Sequence, residues 1–139
     1  MTQNTSAQPL IHGGAQPPRA ALPHLPPLAL YIHIPWCVRK CPYCDFNSHT
    51  ASKVLPEEEY VDALLADLDQ DLHAVYGREL SSIFFGGGTP SLFSAAALGR
   101  LLKGVEARIP FADDIEITLE ANPGTFEQEK FVAYRKLGI

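Results

Sequence analysis

Three apolar runs, each followed by a helical pattern, leave a chain like this few folds to adopt. Leu28 to Ile34 (LALYIHI) is apolar with two β-branched residues and reads as a buried strand. Leu80 to Phe85 and Ile115 to Leu119 read as a second and a third strand. Pro56 opens a helix between the first two, with Glu57, Glu58 and Glu59 at the positive end of its dipole. Its core face is carried by Tyr60, Leu64, Leu68, Leu72 and Val75. Ser94 caps a second helix bearing Leu98, Leu101, Leu102 and Val105. Thr125 and Gln128 form a capping box for a third, with Phe131, Tyr134 and Leu137, ended by Gly138. Alternation of this kind gives right-handed βαβ units, a parallel sheet and an α/β class. The three strands read as buried on both faces, with helices covering only the outer one, so the inner face of these three units would lie open to water.

All three cysteines of the chain lie just past the first strand, as Cys37, Cys41 and Cys44 in CVRKCPYC. Three thiolates that close can hold a metal or an iron–sulfur cluster and leave one coordination position open, which points to chemistry rather than scaffolding. A structural zinc site with His33 or His49 as fourth ligand is an alternative. A disulfide framework suits an odd count poorly, and a Cys41–Cys44 redox pair leaves Cys37 without a role. The cluster reading uses all three.

The second strand runs straight into Gly86-Gly87-Gly88-Thr89-Pro90. Consecutive glycines bring bare backbone close to whatever lies beside them, so this turn can offer amides and carbonyls to a ligand. A tight strand-to-helix connection explains it equally well, and the absence of a GK[ST] ending argues against a phosphate loop. The cysteine loop, the glycine turn and Glu116-Ile-Thr-Leu-Glu120-Ala-Asn-Pro-Gly124 all follow strand C-termini, the edge at which α/β sheets bind ligands.

YIHIPWCVRKCPYCDF and FFGGGTPSLF together resemble the radical S-adenosylmethionine (SAM) superfamily, over residues 28 to 139 nearly without a break. Within it they are similar to the group that holds the oxygen-independent coproporphyrinogen III oxidases and the haem chaperone HemW. The resemblance implies a partial (β/α)6 barrel, of which three βα units with parallel strands are present here. It implies a [4Fe–4S] cluster on Cys37, Cys41 and Cys44, with SAM chelating the remaining iron and cleaved by one electron to methionine and a 5′-deoxyadenosyl radical. Tyr31, Gly87 and Glu120 match SAM-contacting positions. Gly88, Thr89 and Tyr43 match positions around a second SAM in the oxidases. Glu120, at the end of a buried strand, is expected to be more than a surface acid, because an unpaired buried carboxylate is costly. Glu116, on the same strand and side, is the alternative. Arg39 and Lys40 offset the cluster's charge or are simply solvated.

The oxidases carry a fourth cysteine two residues after the last cluster cysteine; here that position is Phe46. Phe46 in CDFNSH favours the haem-chaperone side, so the resemblance implies binding of haem and its transfer to acceptor proteins, an electron donor, and peripheral membrane association through acceptors. An enzyme acting on a porphyrinogen is the other reading. His33 and His49 are the local candidates for a haem ligand.

The net charge of −5, from 16 acidic against 11 basic residues with no basic block, speaks against nucleic acid as a partner. No run of eighteen apolar residues exists to span a membrane. Cysteines kept reduced for a cluster suggest the cytoplasm. Residues 1–27 hold six of the 12 prolines and one charged side chain, Arg19, and read as a disordered tail without secretory signal features, in which His12 and His24 are incidental. Residues 28–139 then form an incomplete core. Three units are half of the family's six, and the third strand would leave an open parallel edge, so the sequence reads as the N-terminal piece of a longer protein.

Overall fold

The structure, a computed structural model, describes residues 24–122 and 128–139. The capping threonine Thr125 and residues 1–23 of the proline-rich segment lie outside that range. Five strands and three helices follow in the order β1 (Leu28–Ile34), β2 (Trp36–Cys37), β3 (His49–Thr50), α1 (Glu57–Asp71), β4 (Leu80–Gly87), α2 (Ala95–Glu106), β5 (Phe111–Leu119) and α3 (Gln128–Lys136). β1, β4 and β5 form a parallel sheet in that order, so the expected α/β alternation and strand direction are present. β2 and β3 make a separate two-residue parallel pair that the apolar pattern did not signal.

Burial alternates along the strands. Ile32 and Ile34 of β1 and Ile83 and Phe85 of β4 are buried with Leu98, Leu101 and Val105 of α2 in one core. Tyr31, at 56% exposure, and Phe84, at 39%, point the other way and stack with ring centroids 6.1 Å apart. The helices thus cover one face of the strands, as expected for three βα units. The inner face, with Glu116 and Thr118 in register beside Ser82 and Phe84, is open.

Helix α2 follows its sequence pattern closely. Ser94 Oγ accepts from the Ala97 amide at 3.1 Å, and Leu98, Leu101, Leu102 and Val105 are all buried. Helix α1 differs: its fully buried residue is Val61, while Tyr60, Leu64 and Leu68 only flank the core. Leu72 has already passed into a 3-10 turn, Leu72–Ala74. β5 starts four residues before the expected Ile115, because Asp113 and Asp114 are exposed at its beginning and look like a turn in the sequence. Gly138 follows α3 with φ +90°, the left-handed conformation that a helix C-terminus favours.

Glu57 does more than answer its own helix dipole. Its carboxylate accepts from the Ser94 amide at 2.7 Å and from Ser94 Oγ at 2.6 Å, so one side chain serves the N-termini of both α1 and α2. Charge-assisted hydrogen bonds of this kind contribute roughly 1.5–3 kcal/mol. Glu57→Gln is therefore expected to lower stability by about that amount in a urea melt, whereas Glu59→Gln, exposed on the same turn, should change little.

The two helices are also clamped by Arg108, which donates to Asp69 Oδ1 at 2.6 Å and Oδ2 at 3.0 Å. Those hydrogen bonds, and then the guanidinium charge, hold the Asp69 carboxyl below its ordinary value. The clamp's contribution is therefore complete above the ordinary carboxylate pKa and is lost as pH falls through the lower folded value. Asp69→Asn should lower stability near neutral pH and flatten its decline below the carboxylate range, as read from melts across about pH 2–7.

Candidate functional site

The cysteine loop begins where β1 runs out of sheet. Pro35 cannot donate a ladder hydrogen bond, and the chain turns into β2. Two backbone bonds close the loop at its neck, His49 N to Pro35 O and Ala51 N to Cys37 O, both 2.7 Å. Cys37 lies in this neck. Cys41 and Cys44 lie beyond it, joined by a turn in which the Cys44 amide donates to Cys41 O at 3.0 Å. All three thiols are free; Cys41 is exposed and the other two are half-buried.

Trp36, one residue before Cys37, is held edge-on to Tyr60 of α1 at 4.7 Å and stacks on Phe93 at 5.7 Å. The Tyr60 hydroxyl donates to His33 O at 2.7 Å, and burial raises its pKa above the ordinary tyrosine value. This aromatic group anchors the loop to the core. Sequence reasoning assigned Tyr60 to a helix face and did not connect it with Trp36 or Phe93, which are distant in the chain.

The glycine turn packs against the loop's root. The Gly88 amide donates to Ile34 O at 2.8 Å and the Thr89 amide to Trp36 O at 2.7 Å. These two amides are spent inside the protein and are not offered to a ligand, contrary to the expectation for them. The glycines are required by proximity. A Cβ at Gly88 would lie 2.6 Å from Trp36 O and 2.8 Å from the Pro35 carbonyl carbon, and one at Gly87, with φ +114°, would lie 2.7 Å from the His33 ring.

His33 itself is fully engaged. Its Nε2 donates to Asn47 O at 2.7 Å, which leaves Nδ1 to accept from the Tyr31 hydroxyl at 2.9 Å. Neither nitrogen is free for zinc or haem, so this candidate is withdrawn. His49 is exposed in β3.

The third motif arrives from β5. Glu120 is exposed just past the strand end, its amide bonded to Phe85 O at 3.0 Å. The burial argument for it therefore fails: no desolvation cost forces a partner on this carboxylate. It does share an open depression of about 490 Å³ with Gly88, Thr89, Ala121 and Asn122. Two of the three motifs are thus brought to one surface, with the cysteine loop next to it through Trp36.

Tyr43 is 88% exposed on the loop. Hydrogen bonding to Cys41, then the charge of the Cys41 and Cys44 thiolates, raises its hydroxyl pKa. Phe46 and Val38 are also exposed, alongside the charged Arg39, Lys40 and Asp45 of the same loop. Among the described residues, no three His, Cys, Asp or Glu side chains are gathered closely enough to hold a metal ion, the three cysteines included. The donor chemistry nonetheless fits a thiolate-held cluster: three cysteines outside any disulfide on one anchored loop. No helix among the described residues is long and apolar enough to cross a membrane.

Residues 31–139 match the family model described as Radical SAM superfamily. Heme chaperone HemW of Escherichia coli (strain K12) is 60% identical over 115 residues, which are 83% of this chain and 30% of that protein. Heme chaperone HemW of Haemophilus influenzae is 58% identical over 122 residues, 85% of this chain and 32% of that protein. The solved structure of coproporphyrinogen III oxidase (HemN) from Escherichia coli, described as a radical SAM enzyme, superimposes with a TM-score of 0.74 at 32% identity, over 81% of this chain and 26% of that one. The chain spans about a third of the length of the curated relatives it matches.

Proposed function

The chain belongs to the radical SAM superfamily, and from that membership we propose that Cys37, Cys41 and Cys44 hold a [4Fe–4S] cluster whose remaining iron takes SAM. Bound there, the cofactor pair supplies one-electron chemistry that no amino-acid side chain provides. The protein's share is placement. Trp36, Tyr60 and Phe93 fix the loop's root, Gly88 and Thr89 tie it to the sheet, and Glu120 presents a carboxylate beside the same depression. Gly87, Tyr31 and Tyr43 complete the proposed SAM surroundings, Tyr31 from the open sheet face and Tyr43 from the loop's rim.

For the whole protein we propose haem binding and delivery to acceptor proteins. The observation that carries this reading is the 60% identity to a protein named as a haem chaperone. Phe46, where the oxidases hold a further cysteine, points the same way. An electron donor, a cytoplasmic location and acceptors at a membrane surface belong to the proposal. The second reading, an oxidase of porphyrinogens, has the 32%-identical solved structure in its favour.

A haem titration separates them. The full-length protein is expected to shift the Soret band stoichiometrically and to give no protoporphyrinogen from coproporphyrinogen III under anaerobic conditions with SAM and a reductant. Product formation, or a titration with no Soret shift, sinks the chaperone reading.

A further inference from the structure

One buried hydroxyl in the cysteine loop has no structural errand. Ser48 is 3% exposed, one of three buried polar or charged residues among those described. Its hydroxyl has Cys44 Sγ as its hydrogen-bond partner, at 3.8 Å. A buried hydroxyl without a partner is costly, so the chain places one here only if the sulfur repays it. The position is also held firmly. Lys40, from inside the C-x3-C segment, donates to Ser48 O at 3.3 Å, and the next residue's amide bonds back to Pro35 O at 2.7 Å. Ser48 is therefore fixed on both sides of its own hydroxyl, and that hydroxyl is aimed at one of the three thiols.

We infer that Ser48 is a positioning residue for Cys44, donating a hydrogen bond to its sulfur when that sulfur is a metal ligand. A free thiol could act as donor to Ser48 Oγ. A ligating sulfur has lost its proton, which leaves the hydroxyl as the only donor of the pair. Hydrogen bonds to ligand sulfurs stabilise the more negative, reduced state of an iron–sulfur cluster and raise its potential. Cys41 also has a hydroxyl neighbour, Tyr43, but that side chain is 88% exposed on the loop, so Ser48 is the buried donor to the ligand set. This inference rests on the cluster assignment above.

The test is the reduction potential of the anaerobically reconstituted full-length protein, with iron and sulfide content measured first. Wild-type protein without iron and sulfide would end the cluster assignment and this inference together. With the cluster present, Ser48→Ala should move the potential to a more negative value, and Ser48→Thr, which keeps the hydroxyl, should return it toward wild type. An unchanged potential in Ser48→Ala overturns the role of Ser48 and leaves the cluster assignment standing. Should Ser48→Ala retain too little iron to titrate, retention itself decides. Iron lost from Ser48→Ala but kept by Ser48→Thr, at equal melting temperature of the metal-free proteins, supports the inference; iron lost alike from both overturns it.

Discussion

Replacing Cys37, Cys41 and Cys44 together by alanine is expected to abolish iron and sulfide binding in the reconstituted protein, from about four irons per chain to essentially none. The expectation follows from the donor inventory. These are the chain's three cysteines, and all are outside any disulfide. Both histidines near the loop are poor substitutes, since His33 has both ring nitrogens bonded and His49 faces solvent. The fold should survive the change. Cys41 lies outside the core, the other two are only half-buried, and the loop's neck is held by backbone bonds and by Trp36 rather than by sulfur. Iron analysis and a melting curve on the same sample check both halves. Retention of about four irons would exclude these cysteines as the ligands, and collapse of the melt would mean the thiols also hold the loop together.

The parts legible in the sequence were those written in local spacing. The C-x3-C-x2-C loop, the three strand ends and the Ser94 cap each occupy a few consecutive residues, so period and motif suffice to find them. What escaped notice is carried by pairs far apart in the chain. Glu57 and Ser94 are 37 residues apart, and nothing in either segment says that one carboxylate will serve two helix ends. Trp36, Tyr60 and Phe93 each have a bland reading as core residues, and only the βαβ crossover brings them under one loop. The open inner face was legible as well. Tyr31 and Phe84 belong to apolar runs, but three βα units supply helices to one side of the sheet only, and both side chains stand exposed on the other.

Glu120 and the glycine turn illustrate the opposite error, in which a motif is recognised but its physical reason is misjudged. Glu120 reaches the candidate site as a solvated carboxylate, so its affinity for any ligand cation must come from proximity rather than from desolvation. The glycines are needed because β4 must pass within van der Waals contact of the β1–β2 connection. The Gly88 and Thr89 amides complete that packing, and the depression beside Glu120 is what the packing leaves exposed. The same turn thus couples stability to the site.

That coupling gives the second large effect. Gly88→Ala should destabilise the protein by about 3 kcal/mol, at the upper end of what overpacking costs. The added methyl would lie 2.6 Å from Trp36 O and within 3.0 Å of two Pro35 atoms, and these are backbone atoms that no rotamer change can move. Relief requires shifting β4 away from the loop's root, which breaks the Thr89 N to Trp36 O bond and moves Cys37 with it. Gly86→Ala provides the contrast. Its nearest neighbours are ring-edge atoms of Phe84 and Tyr31, at 2.7 and 2.9 Å, and both side chains stand on the open face with room to swing. That variant should lose less than about 1 kcal/mol. Urea melts of the two variants read the difference in stability, and iron content after reconstitution reads the displacement of Cys37, expected in Gly88→Ala alone. Equal melts and equal iron for both would mean that β4 and the loop root yield freely, and that the glycine turn does not set the position of the first cysteine.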